Sequence, residues 1–113
     1  MKYWTVAEAT AYLPRLRELL ALVQDAGLVG ERAGGNGRGR AAADEAVQAA
    51  IDELEAGDIV LRQLGAGLVD FPARGEDGVV YLLCYRLDEP DLTWWHRPED
   101  GFAGRRRLPR DAE

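Results

Sequence analysis

The amino-terminal part of the chain shows the hydrophobic spacing of an amphipathic helix. Its apolar positions recur every three or four residues, at Ala9, Leu13, Leu16, Leu20 and Val23. The preceding segment Thr5–Glu8 fits a capping box, in which the hydroxyl and the carboxylate each accept a hydrogen bond from the other residue's backbone amide. Pro14 removes a backbone donor inside this pattern, so we expect a kink or a restart there. The helix is predicted to end near Gly27.

A second amphipathic helix is predicted from about Ala41 to Leu64. Its apolar positions are Val47, Ile51, Leu54 and Leu61, and Gly57-Asp58 is the point at which it would be interrupted. Residues 30–40, which read GERAGGNGRGR, are predicted to form a flexible glycine-rich joint. Because two helices with a short joint pack antiparallel, residues 5–64 predict a helical hairpin.

The remainder of the chain alternates between apolar stretches and turn-forming residues, as strands do. Turn residues occupy 74–78 and 88–91, and they separate stretches rich in β-branched and aromatic side chains at 67–73, 79–87 and 92–97. Residues 67–97 therefore predict a three-stranded antiparallel meander, and residues 98–113 an arginine-rich tail. The predicted fold is a single α+β domain over 1–113, with the two-helix hairpin packed on the small antiparallel sheet.

The shortest turns also predict which side chains share a face of this sheet. They place Ala73 opposite Val79 and His96 opposite Leu83, on the face that carries Phe71. They place Asp70 and Cys84 on the other face. Both faces carry large apolar groups, so one covers the helices and the other needs a second cover. The tail or another copy of the protein would supply that cover, and we expect a homodimer.

Charge and composition restrict the classes of partner. The 113 residues include 20 acidic and 14 basic side chains, with a net charge of -6, which argues against binding to nucleic acid or to an anionic membrane. The acidic side of the second helix is interpreted as a solvated face, with a docking surface for a basic partner as the alternative. The longest uncharged apolar run, Val79–Tyr85, is too short to cross a bilayer, and the first residues lack the apolar centre of a signal peptide. We therefore expect a soluble cytoplasmic protein.

The only histidine, His96, is the first candidate for chemistry. The structural interpretation, a histidine that hydrogen-bonds locally at the end of an aromatic strand, is preferred. The functional interpretation combines His96 with carboxylates from Asp70, Glu89 or Glu8, a ligand set suited to zinc, manganese or iron, with Arg105 holding an anionic group. Glu8 already serves the capping box. A site shared by His96 and Asp70 requires a β-bulge or a different turn length, because the simple register separates them.

The single cysteine, Cys84, cannot form an internal disulfide and is interpreted as a core residue. An apolar strand around it would raise its pKa, the opposite of what a nucleophilic thiolate needs. Asp70 lies within an apolar strand and requires a partner if it is buried, for which Arg86 and Arg105 are the candidates.

Several motifs together resemble a known family. They are Thr5–Ala9 with Leu13-Pro14, the GLVDFP run at 67–72, Val80–Cys84, Glu89, Trp95-His96 and Gly101–Arg105. This combination is similar to the bacterial domain-of-unknown-function family numbered twenty-two oh three, over nearly the whole chain except the glycine-rich joint. The chain departs from the usual pattern at Tyr85, where the family has Trp, and at Asp88, where it has Gly. The resemblance implies no particular activity and supports the predicted fold.

Two functions are therefore considered. The favoured one is a non-catalytic intracellular interaction or assembly module, which rests on the two apolar sheet faces and the acidic helix. The alternative is a metal-binding or acid/base site built on Asp70, Glu89 and His96. The sequence leaves open whether the protein is an enzyme. A polar pocket that holds His96 with two carboxylates would favour the second function.

Overall fold

The computed structural model describes residues 1–33 and 37–110. Its elements are α1 (Val6–Ala33), α2 (Gly37–Ala56), β1 (Val60–Gln63), β2 (Leu68–Arg74), β3 (Val80–Arg86), β4 (Trp94–His96) and β5 (Arg106–Arg107), with a short 3-10 helix at Phe102–Gly104. The strands form one antiparallel sheet in the order β1-β2-β3-β4-β5. The α+β class is as predicted, but the described residues form five strands where the sequence predicted three.

The first helix begins at the predicted capping box. The Thr5 amide donates to a Glu8 carboxylate oxygen at 3.0 Å, and the Glu8 amide donates to the Thr5 hydroxyl at 3.0 Å. The helix continues through Pro14 without a restart and runs past Gly27 to Ala33. Once a helix is nucleated, each further residue adds a hydrogen bond, so an interior glycine weakens it without ending it.

The predicted joint over 30–40 is wrong for most of its length. Residues 30–33 belong to α1, and α2 begins at Gly37. The remaining part of the prediction, residues 34–36, lies outside the described residues. The two helices pack against each other.

The second helix is shorter than predicted, because Gly57-Asp58 ends it. Asp58 has a positive φ of 57°, and the Ile59 amide donates back to the Leu54 carbonyl at 3.0 Å, which closes the last turn. The Trp4 indole nitrogen donates to the Gly57 carbonyl at 2.7 Å and ties this helix end to the chain start. The residues predicted as the last turns of the helix form strand β1 instead.

The main core lies between the helices and one face of the sheet. The predicted stripe of α1 is buried, and it packs with the side chains of β2, β3 and β4 that alternate onto this face, namely Val69, Phe71, Ala73, Tyr81, Leu83, Tyr85 and Trp95. None of the helices in residues 1–33 and 37–56 is long and apolar enough to cross a membrane.

The opposite face of the sheet is covered in part by the chain that follows β4. This segment, over residues 97–105, turns back across the sheet, so that Pro98 and Phe102 lie beside Cys84 and His96. The tail therefore provides part of the second cover that the sequence required.

Candidate functional site

Three buried polar side chains from the three central strands meet under this covering segment. Asp70 on β2 is the cross-strand partner of Cys84 on β3, and His96 on β4 lies diagonally across from Cys84. Their donor atoms, a carboxylate oxygen, the sulfur and a ring nitrogen, all lie within 4.8 Å of one another. Each of the three residues is at most 2% exposed.

The register that separated His96 from Asp70 in the sequence analysis is wrong by one residue. His96 pairs with Leu82 rather than with Leu83, so its side chain points to the face of Asp70. A one-residue slip moves every side chain of a strand to the other face. Leu92, predicted to begin the third strand, instead precedes β4 and packs into the core from the connection. No bulge is needed between β3 and β4.

The register between β2 and β3 also differs from the prediction, without changing the faces. Ala73 pairs with Tyr81, two residues beyond the predicted partner Val79. A shift of two residues preserves the alternation, so the assignment of Asp70 and Cys84 to one face is correct. The interpretation of Cys84 as buried is also correct, but Cys84 lies beside His96 rather than on the opposite face.

Both ring nitrogens of His96 lie within hydrogen-bond distance of an oxygen acceptor. Its Nδ1 lies 2.8 Å from the backbone oxygen of Arg97, and its Nε2 lies 3.0 Å from a carboxylate oxygen of Asp70. Both neighbours are acceptors, and a neutral imidazole carries only one N–H. Either neutral tautomer therefore leaves two acceptors facing each other. The arrangement is satisfied by a second proton on the ring or by a metal ion beside Nε2.

The partner of Asp70 is Arg62, which the sequence analysis did not identify. The Arg62 Nε donates to the second carboxylate oxygen of Asp70 at 2.8 Å. The pairing of β1 with β2 shifts register between Leu61 and Gln63, and a bulge of this kind re-aims the side chain at its centre. The predicted candidates Arg86 and Arg105 pair elsewhere. The sequence signal for this contact was Gly57-Asp58. A helix that ends there places Arg62 in the following strand rather than in the helix.

The Cys84 thiol is held protonated. Burial raises its pKa to about 12, and the nearby Asp70 carboxylate acts in the same direction. The thiol is therefore unsuited to act as a nucleophile by itself, as the sequence predicted. A metal ion would have to displace its proton to bind it.

Glu89 and Arg105, the other two predicted site residues, bind each other. The Arg105 guanidinium donates to Glu89 at 2.6 Å, and the same carboxylate oxygen accepts the Arg86 amide at 2.7 Å. Arg105 also lies over the rings of Trp94 and Phe102, at 5.1 and 4.6 Å from their centroids. This pair ties the covering segment to the connection between β3 and β4. Glu89 does not belong to the group of three donor residues.

Glu8 is occupied at the start of α1. Besides its capping bonds, it lies 3.5 Å from the Lys2 ammonium, and the pKa of its carboxyl is lowered, chiefly by the Thr5 amide. Its capping role, rather than a role beside His96, is the one that these contacts support.

The three donor side chains open into a cavity of about 380 Å³. The rest of its lining is Arg62, Leu68 and residues 98–102. Glu99 and Asp100 therefore contribute two further carboxylates at the mouth, against the one guanidinium of Arg62. The excess of negative charge and of donor atoms suits a cation.

The fold and the site thus define a small α+β protein with a buried Asp-Cys-His cluster beneath a covered sheet face. The family described as "uncharacterized conserved protein (DUF2203)" matches residues 28–108. The chain belongs to this family, as the resemblance of its motifs implied. No curated protein and no solved structure matches the chain.

Proposed function

We propose that this protein binds a divalent transition-metal ion, with Zn²⁺ as the best fit, through Asp70, Cys84 and His96. The observation that carries the proposal is the meeting of three buried potential ligand atoms, a carboxylate oxygen, the sulfur and a ring nitrogen, within 4.8 Å of one another. A soft thiol beside an imidazole and a single carboxylate favours Zn²⁺ over Mg²⁺ or Ca²⁺, which prefer oxygen ligands.

The geometry requires only small adjustments. Bonds of about 2.0 to 2.3 Å in a tetrahedral site put the ligand atoms about 3.3 to 3.7 Å apart. The distance between His96 Nε2 and Asp70 is slightly shorter than this, and all three donors already lie within 4.8 Å of one another. A shift of a few tenths of an ångström at the shortest pair therefore makes room for an ion.

The surroundings of the donors match those of metal ligands. A ligating histidine usually donates its other N–H to a carbonyl, as His96 Nδ1 is placed to do toward Arg97. Arg62 holds one oxygen of Asp70 and leaves the other toward His96. Three protein ligands with a fourth position open to a cavity is the arrangement of catalytic rather than structural zinc.

The test is metal uptake by protein that has been stripped with a chelator. We expect one Zn²⁺ per chain by elemental analysis, and a Co²⁺ derivative with a thiolate-to-metal absorption band. Cys84→Ser should abolish that band, and His96→Ala should abolish stoichiometric uptake. Asp88→Asn is the matched control, because this carboxylate is exposed and pairs with Arg86 outside the site.

The opposing outcome is equally measurable. Absence of stoichiometric uptake, together with ¹⁵N resonances that show both ring nitrogens of His96 protonated, would make the cluster a structural ion pair. His96→Ala would then lower the free energy of unfolding by about 1 to 3 kcal/mol through the orphaned partner, without any change in metal content. Cys84→Ser is the milder variant if His96→Ala does not fold.

A second candidate function is the interaction or assembly module. It is supported by β1, which lies at the edge of the sheet with one side unpaired within the described residues, and which exposes Val60. We propose a homodimer that continues the sheet at this edge. The proposed location is the cytoplasm, where an unpaired thiol stays reduced.

A further inference from the structure

A second, apolar cavity lies on the same face of the sheet as the donor cluster. It is a groove of about 570 Å³, and we call it the apolar groove. Its floor crosses three neighbouring strands, with Val60 on β1, Pro72 on β2, and Val80 and Leu82 on β3. The groove is therefore a part of the second sheet face that the segment 97–105 leaves open.

The strands beneath the groove use their backbone groups to pair with one another. β2 is paired with β1 and β3, and β3 is paired with β2 and β4. A partner segment that lies on this face must therefore satisfy its own backbone groups, as an α-helix does. A helix is also an element that commonly covers the apolar face of a sheet.

The charged groups at one end of the groove are carboxylates. Glu55 and Asp58, at the end of α2, belong to its lining. Asp58 accepts a hydrogen bond from the Lys2 backbone amide at 2.6 Å, and this uncharged donor leaves the charge of Asp58 in place. The one guanidinium in the lining, that of Arg62, is already paired with Asp70. The groove thus combines an apolar floor with an acidic rim.

The adjoining cavity of the donor cluster adds to this excess of negative charge. Its lining includes Glu99 and Asp100. The carboxylates of the two cavities outnumber the positive groups, even when the Met1 amino group and a protonated His96 are counted with Arg62. A metal ion on the donor cluster changes this balance little, because two of its three ligands would be anionic. A basic partner is therefore attracted to the groove, and an acidic partner is repelled.

We propose that the apolar groove binds an amphipathic basic helix of a partner protein. The apolar side chains of that helix, at helical spacing, lie against Val80 and Leu82, and its lysine or arginine side chains face Glu55 and Asp58. This is the helix-in-groove mode of recognition. The proposal does not depend on the metal site.

A second copy of the chain is a less suitable occupant. Its net charge is -6, so it would bring further negative charge to an acidic rim. The homodimer proposed above uses the edge of the sheet at β1 rather than this face, so both interactions are compatible.

The experiment measures the fluorescence anisotropy of labelled synthetic peptides of about 18 residues, a length that permits a helix. The probe peptide carries leucines on one side of the helix and lysines on the other. Two matched peptides carry glutamine or glutamate in place of lysine, and a third has the composition of the probe in scrambled order. We expect the probe to bind about tenfold more tightly than the glutamine and scrambled peptides, and the glutamate peptide not to bind. Added salt should weaken binding of the probe.

Two pairs of substitutions provide matched controls. Val80→Gln places a polar group in the groove and should weaken binding of the probe about fivefold, whereas Val79→Gln changes a residue that is 53% exposed and does not line the groove, and should have no effect. Glu55→Gln should also weaken binding. Glu45→Gln, at an exposed position earlier in α2 and outside the groove, should not. Circular dichroism establishes that all four variants are folded.

Several outcomes would overturn the proposal. Failure of the probe to bind would do so, as would equal binding of the probe and the scrambled peptide, or equal effects of Val80→Gln and Val79→Gln. A dimer that Val80→Gln dissociates and Val79→Gln does not would show that a second copy covers the groove, which also overturns it. Zinc content is measured in every sample, so peptide binding without zinc uptake overturns the metal site and supports the helix-binding groove.

Discussion

The protonated thiol of Cys84 makes the stability of the metal-free protein fall at alkaline pH. Its pKa is about 12 in the folded protein, against an ordinary value of 9.0. The folded state thus retains a proton that the unfolded chain loses above pH 9. The stabilisation of the folded state that this proton provides is fully present below pH 9, and it is lost as the pH rises toward 12. Cys84→Ala removes this contribution and leaves the rest of the chain unchanged.

The size of the effect follows from linkage. Between the two pKa values, stability falls by about 1.4 kcal/mol per pH unit for one proton. From pH 8 to pH 10 the wild type should therefore lose about 1.4 kcal/mol more than Cys84→Ala. Urea unfolding of both proteins at the two pH values, with a chelator present, measures this difference. Tyr12, whose pKa is also raised by burial and by Glu53, is present in both proteins and cancels.

Two results would refute this reasoning. Equal losses of stability in the wild type and in Cys84→Ala would show that the folded thiol ionises as it does in the unfolded chain. Rapid alkylation of the folded, metal-free protein by iodoacetamide at pH 8 would show the same by reactivity, because the thiolate is the reacting species.

Three further predictions concern the turns, the assembly and the charge. Gly67→Ala should lower the free energy of unfolding by about 2 kcal/mol. Gly67 has a φ of 63°, and a Cβ at this position would lie 2.6 Å from the Cβ of Leu87. Urea unfolding measures the change, and an unchanged stability would contradict the prediction. Light scattering at tens of micromolar should give the mass of a dimer, and a monomer mass would exclude the proposed homodimer. The protein should pass through a DNA column without salt-dependent retention, whereas retention that is lost when Arg106 and Arg107 become Ala would show that the tail binds nucleic acid.

Local patterns in the sequence were sufficient for the start and the buried stripe of the first helix and for the class of fold. The capping box at Thr5 and Glu8 and the buried stripe that follows depend only on neighbours within one or two turns, so they can be predicted from spacing. The three central strands could be predicted for the same reason, since alternation of side chains belongs to each strand alone. The motifs also pointed to the family, whose model matches residues 28–108.

The edge strands could not be predicted, because their own sequences are weak signals. β1 and β5 contain four and two residues, most of them exposed, and they are strands only because a neighbouring strand offers hydrogen bonds. The end of α2 at Ala56 had a visible signal in Gly57-Asp58. The apolar positions on either side of Gly57-Asp58 continue the helical spacing, so the spacing alone predicted a longer helix. The helix ends there instead, with Asp58 at a positive φ.

The sequence by itself singled out Asp70 and His96 as candidates for chemistry and Cys84 as a buried residue, but it did not show that the three meet. The meeting depends on a difference of one residue between the predicted and the observed pairing of β3 with β4, since His96 pairs with Leu82. The partner of Asp70, Arg62, lies on β1 where its pairing with β2 shifts register, and it also became visible only in the tertiary structure. The spacing of residues along one strand shows which of its side chains share a face. It does not show which face of the neighbouring strand they join. Which faces coincide is decided when the core fills, because the packing of the connections sets the register.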